Sequence, residues 1–179
     1  MTARLFTAVV PPERAVDSLA AWVSELPGPP GLRWVPRRQW HVTLGFFGSD
    51  DVTTRQAWLG PRLRGMAAPR VRLAGSGTFR SVLWCGVTGD DITGLADAAG
   101  AANQPREFHP HVTLARGRPP GGLERMAQYL RAYSGPSWLA TEVVLFRSDR
   151  DERGAVHTPV ARYALSDASA SGELPPEQG

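Results

Sequence analysis

Apolar and polar positions along this chain form two kinds of pattern, which predict strands and helices in a mixed order. Apolar runs or alternation predict strands at residues 4–10, 32–35, 41–44, 71–75, 82–87, 111–114, about 138–146 and 158–165. Apolar residues at three- and four-residue spacing predict helices after residues 11–13, after 49–51, after 90–91 and around 123–133. Helices that do not alternate strictly with strands are typical of an α+β fold.

Two stretches bear on the boundaries of these elements. Gly60 and Pro61 interrupt the second helical pattern, and we expect them to break or kink that helix. From Ser166 onward the residues are small, polar and proline-containing, so residues 166–179 are expected to form a disordered tail. The ordered part, residues 1–165, is then long enough for a single domain with its own core.

One tetrapeptide occurs twice, as His41-Val42-Thr43-Leu44 and seventy positions later as residues 111–114. Successive side chains of a strand point to opposite faces, so each histidine shares a face with the threonine two residues on. If the two polar faces meet, they form a groove with two imidazoles and two hydroxyls, which suits a phosphate. A lone strand histidine is more often a surface or structural residue. That interpretation is weak for two identical copies in a chain with four histidines.

Composition indicates the class of protein and its expected cellular location, but it does not decide the function. Hydrophobic residues make up 42% and charged residues 21%, as in an ordinary globular protein. The chain contains no run of about 18 apolar residues, the length needed to span a membrane. Pro11 to Glu13 interrupt the charged-then-apolar pattern of a signal peptide. A single cysteine, Cys85, excludes an internal disulfide and a multi-thiolate metal site. We expect a cytoplasmic monomer with no obligate protein partner.

The repeated tetrapeptide and its flanks resemble the paired motifs of the two-histidine phosphoesterase superfamily. The bacterial and archaeal branch of RNA 2′,3′-cyclic phosphodiesterases, also called 2′-5′ RNA ligase-like proteins, is the most similar. The resemblance covers roughly residues 4–165 and rests on these stretches: residues 4–8, Trp40 before the first motif, 45–48 after it, 108–110 and 115–116 around the second, and 144–148.

The resemblance implies two antiparallel sheet-and-helix lobes related by a pseudo-twofold axis around a central cleft. It implies hydrolysis of RNA or nucleotide 2′,3′-cyclic phosphates to 2′-phosphates without metal or other cofactor; some members also join 2′-5′ linkages reversibly. By the same resemblance, His41 is the general acid and His111 the general base, although the residue types alone leave that polarity open. Thr43 and Thr113 are expected to bind phosphate oxygens, and Arg116 to add a further contact.

Two other functions fit the residues. One is a metal-dependent phosphohydrolase, in which His41, His109, His111 and an aspartate hold the ion. The other is a non-catalytic module that binds RNA ends. We expect His109 to support His111 or to face solvent, and His157 to be a surface residue. The aromatic residues that could stack a base are expected to lie in the core instead; they are Phe6, Trp34 and Phe46.

Overall fold

The computed structural model describes residues 1–105, 107–119, 122–152 and 154–167, and these contain nine strands and four helices. The strands are β1 Thr2–Val9, β2 Leu32–Trp34, β3 Val42–Asp51, β4 Arg70–Phe79, β5 Val82–Gly89, β6 His111–Gly117, β7 Trp138–Leu139, β8 Glu142–Asp151 and β9 Gly154–Ala164. The helices are α1 Glu13–Ser24, α2 Val52–Leu63, α3 Ile92–Ala98 and α4 Glu124–Leu130. Short 3-10 turns lie at Arg37–Gln39 and Ala101–Asn103.

The strands form one antiparallel sheet whose centre is a narrow junction between two lobes. The order is β7-β4-β5-β6-β3-β1-β8-β9, with β2 also pairing with β6. Strands β3 and β6 meet at a single pair, Val42 with Val112. The first lobe contains β1, β3, β8 and β9, and the second contains β2, β4, β5, β6 and β7. The predicted two-lobed α+β fold is therefore confirmed, with one copy of the repeated motif in each lobe.

All four helices pack into one buried cluster with one face of the sheet. Helices α2 and α3 cover the first lobe, whereas α1 and α4 cover the second. We call the other side of the sheet the open face. It carries a small apolar cluster in the first lobe, in which Phe6 and Ala8 of β1 contact Val144 and Phe146 of β8. No helix in the described part of the chain has the length and apolar character needed to span a bilayer.

Aspartates cap two helices, as the sequence predicts. The carboxylate of Asp51 accepts the Thr54 N–H at the start of α2, and that of Asp91 accepts the Gly94 N–H at the start of α3. The predicted break at Gly60 and Pro61 is wrong, because α2 continues through Pro61 to Leu63. Proline removes only one N–H so close to the helix end, and the last turn is anchored by two fully buried leucines, Leu59 and Leu63.

The region expected to be one late strand, residues 138–146, is two strands in different lobes. Trp138–Leu139 pairs with β4 at one edge of the sheet, while Glu142–Asp151 pairs with β1 near the other. The chain crosses between the lobes in the two residues that separate them. At the end of the fold, Ser166 exchanges backbone hydrogen bonds with Met66 and Ala68. Residues 168–179 of the predicted tail lie outside the described residues.

Candidate active site

The two motif strands bury their aliphatic residues and turn their polar residues to the open face. The buried residues, each 2% exposed or less, are Val42, Leu44, Val112 and Leu114. The polar residues are all half-buried and are His41, Thr43, His111 and Thr113. Strand alternation produces this division in both lobes. We call the part of the open face where β3 and β6 meet the cleft.

The pairing of the strands brings the two histidines to the same place. Val42 lies opposite Val112 in an antiparallel register. On either side of this pair lie His41 and Thr43 of one motif and His111 and Thr113 of the other. His111 lies close enough to His41 to lower its pKa, and Arg116 lowers the pKa of both histidines. The structure therefore brings together all four polar residues of the two motifs.

Each imidazole is held by the same backbone contact. The Nδ1 atom of His41 lies 2.7 Å from the carbonyl oxygen of Gln39, and Nδ1 of His111 lies 2.6 Å from that of His109. Because a carbonyl only accepts, Nδ1 carries the hydrogen in both rings. The neutral ring then has its free lone pair on Nε2, which is the nitrogen left for a substrate. His109 is exposed as a residue, and its backbone carbonyl holds the His111 ring.

Burial favours the neutral form of both imidazoles. It lowers the pKa of His41 from 6.5 to about 4, opposed by the Gln39 hydrogen bond and reinforced by His157, His111 and Arg116. Burial also lowers the pKa of His111. The hydrogen bond to the His109 backbone carbonyl opposes this shift, and the charges of the His109 ring and of Arg116 reinforce it. Arg116 therefore lies close enough to both histidines to lower the pKa of each. A bound phosphate would act in the opposite direction, because a nearby anion favours the imidazolium form.

A β-bulge turns Arg116 toward the cleft. Trp84 of β5 pairs with Thr113, but the preceding residue, Leu83, pairs with Ala115, so Leu114 is an extra residue in β6. Strict alternation would put Arg116 on the face opposite His111. The bulge reverses that assignment, and Arg116 reaches the face that carries His111 and Thr113.

The same irregularity in β3 turns an aromatic ring toward the cleft. Thr43 pairs with Ala8 and Gly45 with Thr7, which leaves Leu44 as the extra residue. Phe46, five residues after His41, therefore takes the position that Arg116 takes after His111. Its ring is 55% exposed and lies 6.0 Å from that of Phe6. The prediction that Phe46 lies in the core is wrong, whereas Phe6 is buried as predicted, at 3% exposure.

His157 is the site residue that sequence reasoning missed. The prediction of a surface residue is wrong, because its ring is half-buried in β9 and lies edge-on to His41 at 5.3 Å and to Phe6 at 4.9 Å. Its Nδ1 atom is buried and has no hydrogen-bond partner among the described residues. Nothing in the local sequence indicates this, since the contact arises from the pairing of β9 beyond β8 and β1.

Each catalytic candidate lies among aromatic rings. Around His111 are Phe79, Trp84 and His109, with ring centroids 5.2, 6.2 and 6.3 Å away. These rings are among the groups that surround the half-buried His111 side chain. The single cysteine, Cys85, is buried in the core, where burial raises the pKa of its thiol to about 12. No cluster of three or more His, Cys, Asp or Glu side chains within the described ranges has the arrangement to hold a metal ion.

Known proteins share both the sequence pattern and the fold. The family model of the 2′-5′ RNA ligase superfamily matches residues 11–152. The chain belongs to this superfamily. An RNA 2′,3′-cyclic phosphodiesterase of Thermus thermophilus is 28% identical over 96% of this chain and 98% of its own length. A protein of the same name from Aeropyrum pernix is 32% identical over 56% of this chain and 65% of its own length.

Solved structures of similar proteins extend the likeness to three dimensions. A crystal structure of a Thermus thermophilus protein superposes with a TM-score of 0.73 at 29% identity, covering 92% of this chain and 99% of the other. Escherichia coli LigT complexed with phosphate gives a TM-score of 0.70 at 25% identity, covering 93% and 99%. The same LigT has also been crystallised with 3′-AMP.

Proposed function

We propose that this protein is an RNA 2′,3′-cyclic phosphodiesterase that hydrolyses the cyclic phosphate to a 2′-phosphate. The observation that carries the proposal is the pair of imidazoles on one open face, each held through Nδ1 by a backbone carbonyl. Two relatives bear that enzyme name, and the structurally similar LigT has been crystallised with phosphate.

In the proposed reaction, Nε2 of His111 takes a proton from water as its oxygen attacks phosphorus. The bond between phosphorus and the ribose 3′-oxygen breaks on the opposite side. His41, which is protonated on Nε2 once the anionic phosphate is bound, gives that proton to the departing oxygen. The products are a 2′-phosphomonoester and a free 3′-hydroxyl. Proton transfers of this kind typically contribute about 10²–10⁴ each in rate, so two histidines supply the chemistry without a metal ion.

Thr43, Thr113 and Arg116 stabilise the negative charge that develops on the non-bridging phosphate oxygens in the transition state. Thr43 and Thr113 share the open face with His41 and His111, next to the single pair that joins the two motif strands, so each hydroxyl can donate to a non-bridging oxygen. No hydrogen bond between described residues occupies either hydroxyl. Arg116, turned to the same face by the bulge, adds a charged fork suited to a phosphate oxygen. Donors fixed in place before the reaction stabilise the transition state without reorganising.

Ligation is a variant of the same step. If the 5′-hydroxyl of a second RNA replaces water, the same attack forms a 2′-5′ linkage and releases the 3′-hydroxyl. In the reverse direction His41 and His111 exchange roles, which their matching backbone contacts allow. The cyclic phosphodiester is the common substrate of both reactions.

The test is hydrolysis of adenosine 2′,3′-cyclic phosphate by purified protein treated with chelator, with the product phosphate position assigned. We expect full activity without metal and a loss of about 10²-fold or more in His41→Ala and in His111→Ala. The His109→Ala variant keeps the backbone carbonyl that holds His111, so it should retain most of its activity.

A metal-dependent enzyme would behave differently, because it would lose activity with chelator and with His109→Ala. A protein that merely binds RNA ends would show no turnover in the unaltered chain. Full activity in either His41→Ala or His111→Ala would overturn the proposed mechanism.

A further inference from the structure

Two arginines lie side by side at the edge of the cleft, on neighbouring strands. Arg33 of β2 pairs directly with Arg116 of β6. The next pair along, Trp34 with Ala115, packs against the helix-covered core. Because neighbouring residues of a strand face opposite ways, Arg33 and Arg116 both face the open side of the sheet. They therefore extend the line of polar groups formed by His111 and Thr113.

This pairing is unfavourable for the protein alone. Like charges directly opposite each other on antiparallel strands are destabilising. Both side chains are exposed, and no ion pair or side-chain hydrogen bond between described residues includes either of them. A bound anion placed between the two guanidinium groups would turn the repulsion into attraction.

A third arginine, Arg80, lies on the other side of Arg116, in a backbone conformation that is unfavourable for residues other than glycine. Arg80 occupies the two-residue turn between β4 and β5 with φ of 48°, a left-handed conformation that normally selects glycine. The turn lies next to the end of β6, since the carbonyl of Ser81 accepts the Gly117 N–H. Arg80 is also exposed and takes part in no ion pair among the described residues. Arginines thus follow one another across β2, β6 and the β4–β5 turn.

Arg33 lies one strand farther from the histidines than Arg116, which contacts the reacting phosphate in the proposed function. Arg116 is three residues beyond Thr113 in β6, no more than roughly 10 Å at the usual strand rise, and Arg33 is its partner in β2. An anion held by Arg33 would therefore lie beside the reacting phosphate rather than in its place. In an RNA end, the neighbouring anion is the phosphate on the 5′ side of the terminal nucleoside.

We propose that Arg33 binds the phosphate next to the reacting one, so that the preferred substrate is a polyribonucleotide end rather than a nucleoside cyclic phosphate. Arg33 and Arg80 lie on opposite sides of Arg116. This inference rests on the proposed function for the identity of the substrate. It assigns to Arg33 a role in specificity and not in the chemical step.

The test compares kcat/KM for three substrates that share one cyclic phosphate. They are adenosine 2′,3′-cyclic phosphate, the same molecule with a 5′-phosphate, and the dinucleotide ApA with a 2′,3′-cyclic end. We expect the two substrates with the extra phosphate to be preferred by about 10-fold, a typical contribution of one charged hydrogen bond. Arg33→Gln should remove this preference and leave adenosine 2′,3′-cyclic phosphate unaffected. Arg33→Lys, which keeps the charge without the fork, should retain part of it.

The matched control is Arg125→Gln, which removes an exposed arginine from α4 on the helix-covered side of the sheet. It should change none of the three values. Absence of a preference in the unaltered protein would overturn the proposal. So would an equal loss on all three substrates in Arg33→Gln, because the residue would then act only through Arg116.

Binding provides a readout that does not depend on catalysis. The affinities for adenosine 2′-phosphate and adenosine 2′,5′-bisphosphate are measured against salt concentration. For the bisphosphate alone, Arg33→Gln should lower the affinity by about 10-fold and flatten the slope of log K against log salt concentration, because one charged contact is lost. If no substrate is hydrolysed, the proposed function fails, and this slope still decides the second phosphate site. An unchanged slope would rule that site out.

Discussion

A histidine ordinarily titrates near pH 6.5, but both histidines of the cleft lose their protons at lower pH. Burial among aromatic rings lowers the pKa of His41 to about 4 and also lowers that of His111. Both imidazoles are therefore neutral at neutral pH until an anion arrives. A phosphate that raises the pKa of His41 on binding would supply the proton donor only when a substrate is present.

The pH dependence of kcat/KM follows from these shifts. In the proposed mechanism, activity rises with pH as the base His111 loses its proton, and falls with pH as the acid His41 loses its own. Because both pKa values lie below 6.5 in the free protein, the bell-shaped profile should have its maximum below pH 6.5. The profile of kcat should be shifted to higher pH, since it reports the substrate-bound form. A kcat/KM maximum above pH 6.5 would show that the empty cleft does not depress both pKa values.

Strand alternation predicted which residues of each motif share a face, because it depends on the local backbone alone. Alternation alone places His41 with Thr43, and His111 with Thr113, on one face of their strands. Arg116 and Phe46 could not be assigned in the same way, since an extra residue in each strand reverses the alternation beyond the motif. His157 depends on contacts between distant strands, which no local pattern encodes.

At the scale of secondary structure, the two bulges shape the cleft, and one of them requires glycine. Gly45 follows the extra residue Leu44, and a Cβ atom there would lie 2.8 Å from the carbonyl oxygen of Ala99 and 2.9 Å from the backbone of Gly100. The hydroxyl of Thr7 also donates to the Ala99 carbonyl oxygen at 2.7 Å. Strand β3 therefore touches the end of α3 with no room for a side chain.

Gly45→Ala should consequently destabilise the protein by about 1–3 kcal/mol, because backbone rather than a flexible side chain must move. The free energy of unfolding from denaturant titration measures the effect. The matched control is Gly60→Ala in α2, where an added Cβ meets nothing within 4 Å. It should change the free energy of unfolding by no more than about 1 kcal/mol, because the gain in helix propensity is opposed by the restriction that Pro61 places on a preceding residue with a Cβ atom. A Gly45→Ala variant as stable as the unaltered protein would mean that the close approach to α3 does not constrain β3.

Element order was largely predictable from the sequence, whereas element pairing was not. The caps at Asp51 and Asp91 are local signals, and both helices begin where these signals indicate. Residues 138–146 read as one apolar strand, because nothing in their pattern shows that the chain passes from β4 in one lobe to β1 in the other. Helix α2 continues past Pro61, contrary to the local pattern, because the tertiary burial of Leu59 and Leu63 outweighs the loss of one backbone hydrogen bond.

At the scale of the whole molecule, the fold places one histidine strand in each lobe and joins the two motif strands at Val42 and Val112 alone. The residues five positions after the histidines, Phe46 and Arg116, then lie at equivalent positions of the two lobes. One lobe offers an exposed aromatic ring and the other a cationic fork to the same cleft. A substrate would meet two chemically different walls, even though the strands that form them are alike.

The account depends on both imidazoles contacting a single phosphate, and a nuclear magnetic resonance titration of the histidine ring nitrogens measures this directly. Adenosine 2′-phosphate, the proposed product, is added to the protein while the Nε2 signals of His41 and His111 are followed. We expect one equivalent to shift both signals together and to raise the pKa of both rings. A phosphate that perturbs only one ring, or two equivalents that titrate the rings separately, would contradict the shared site.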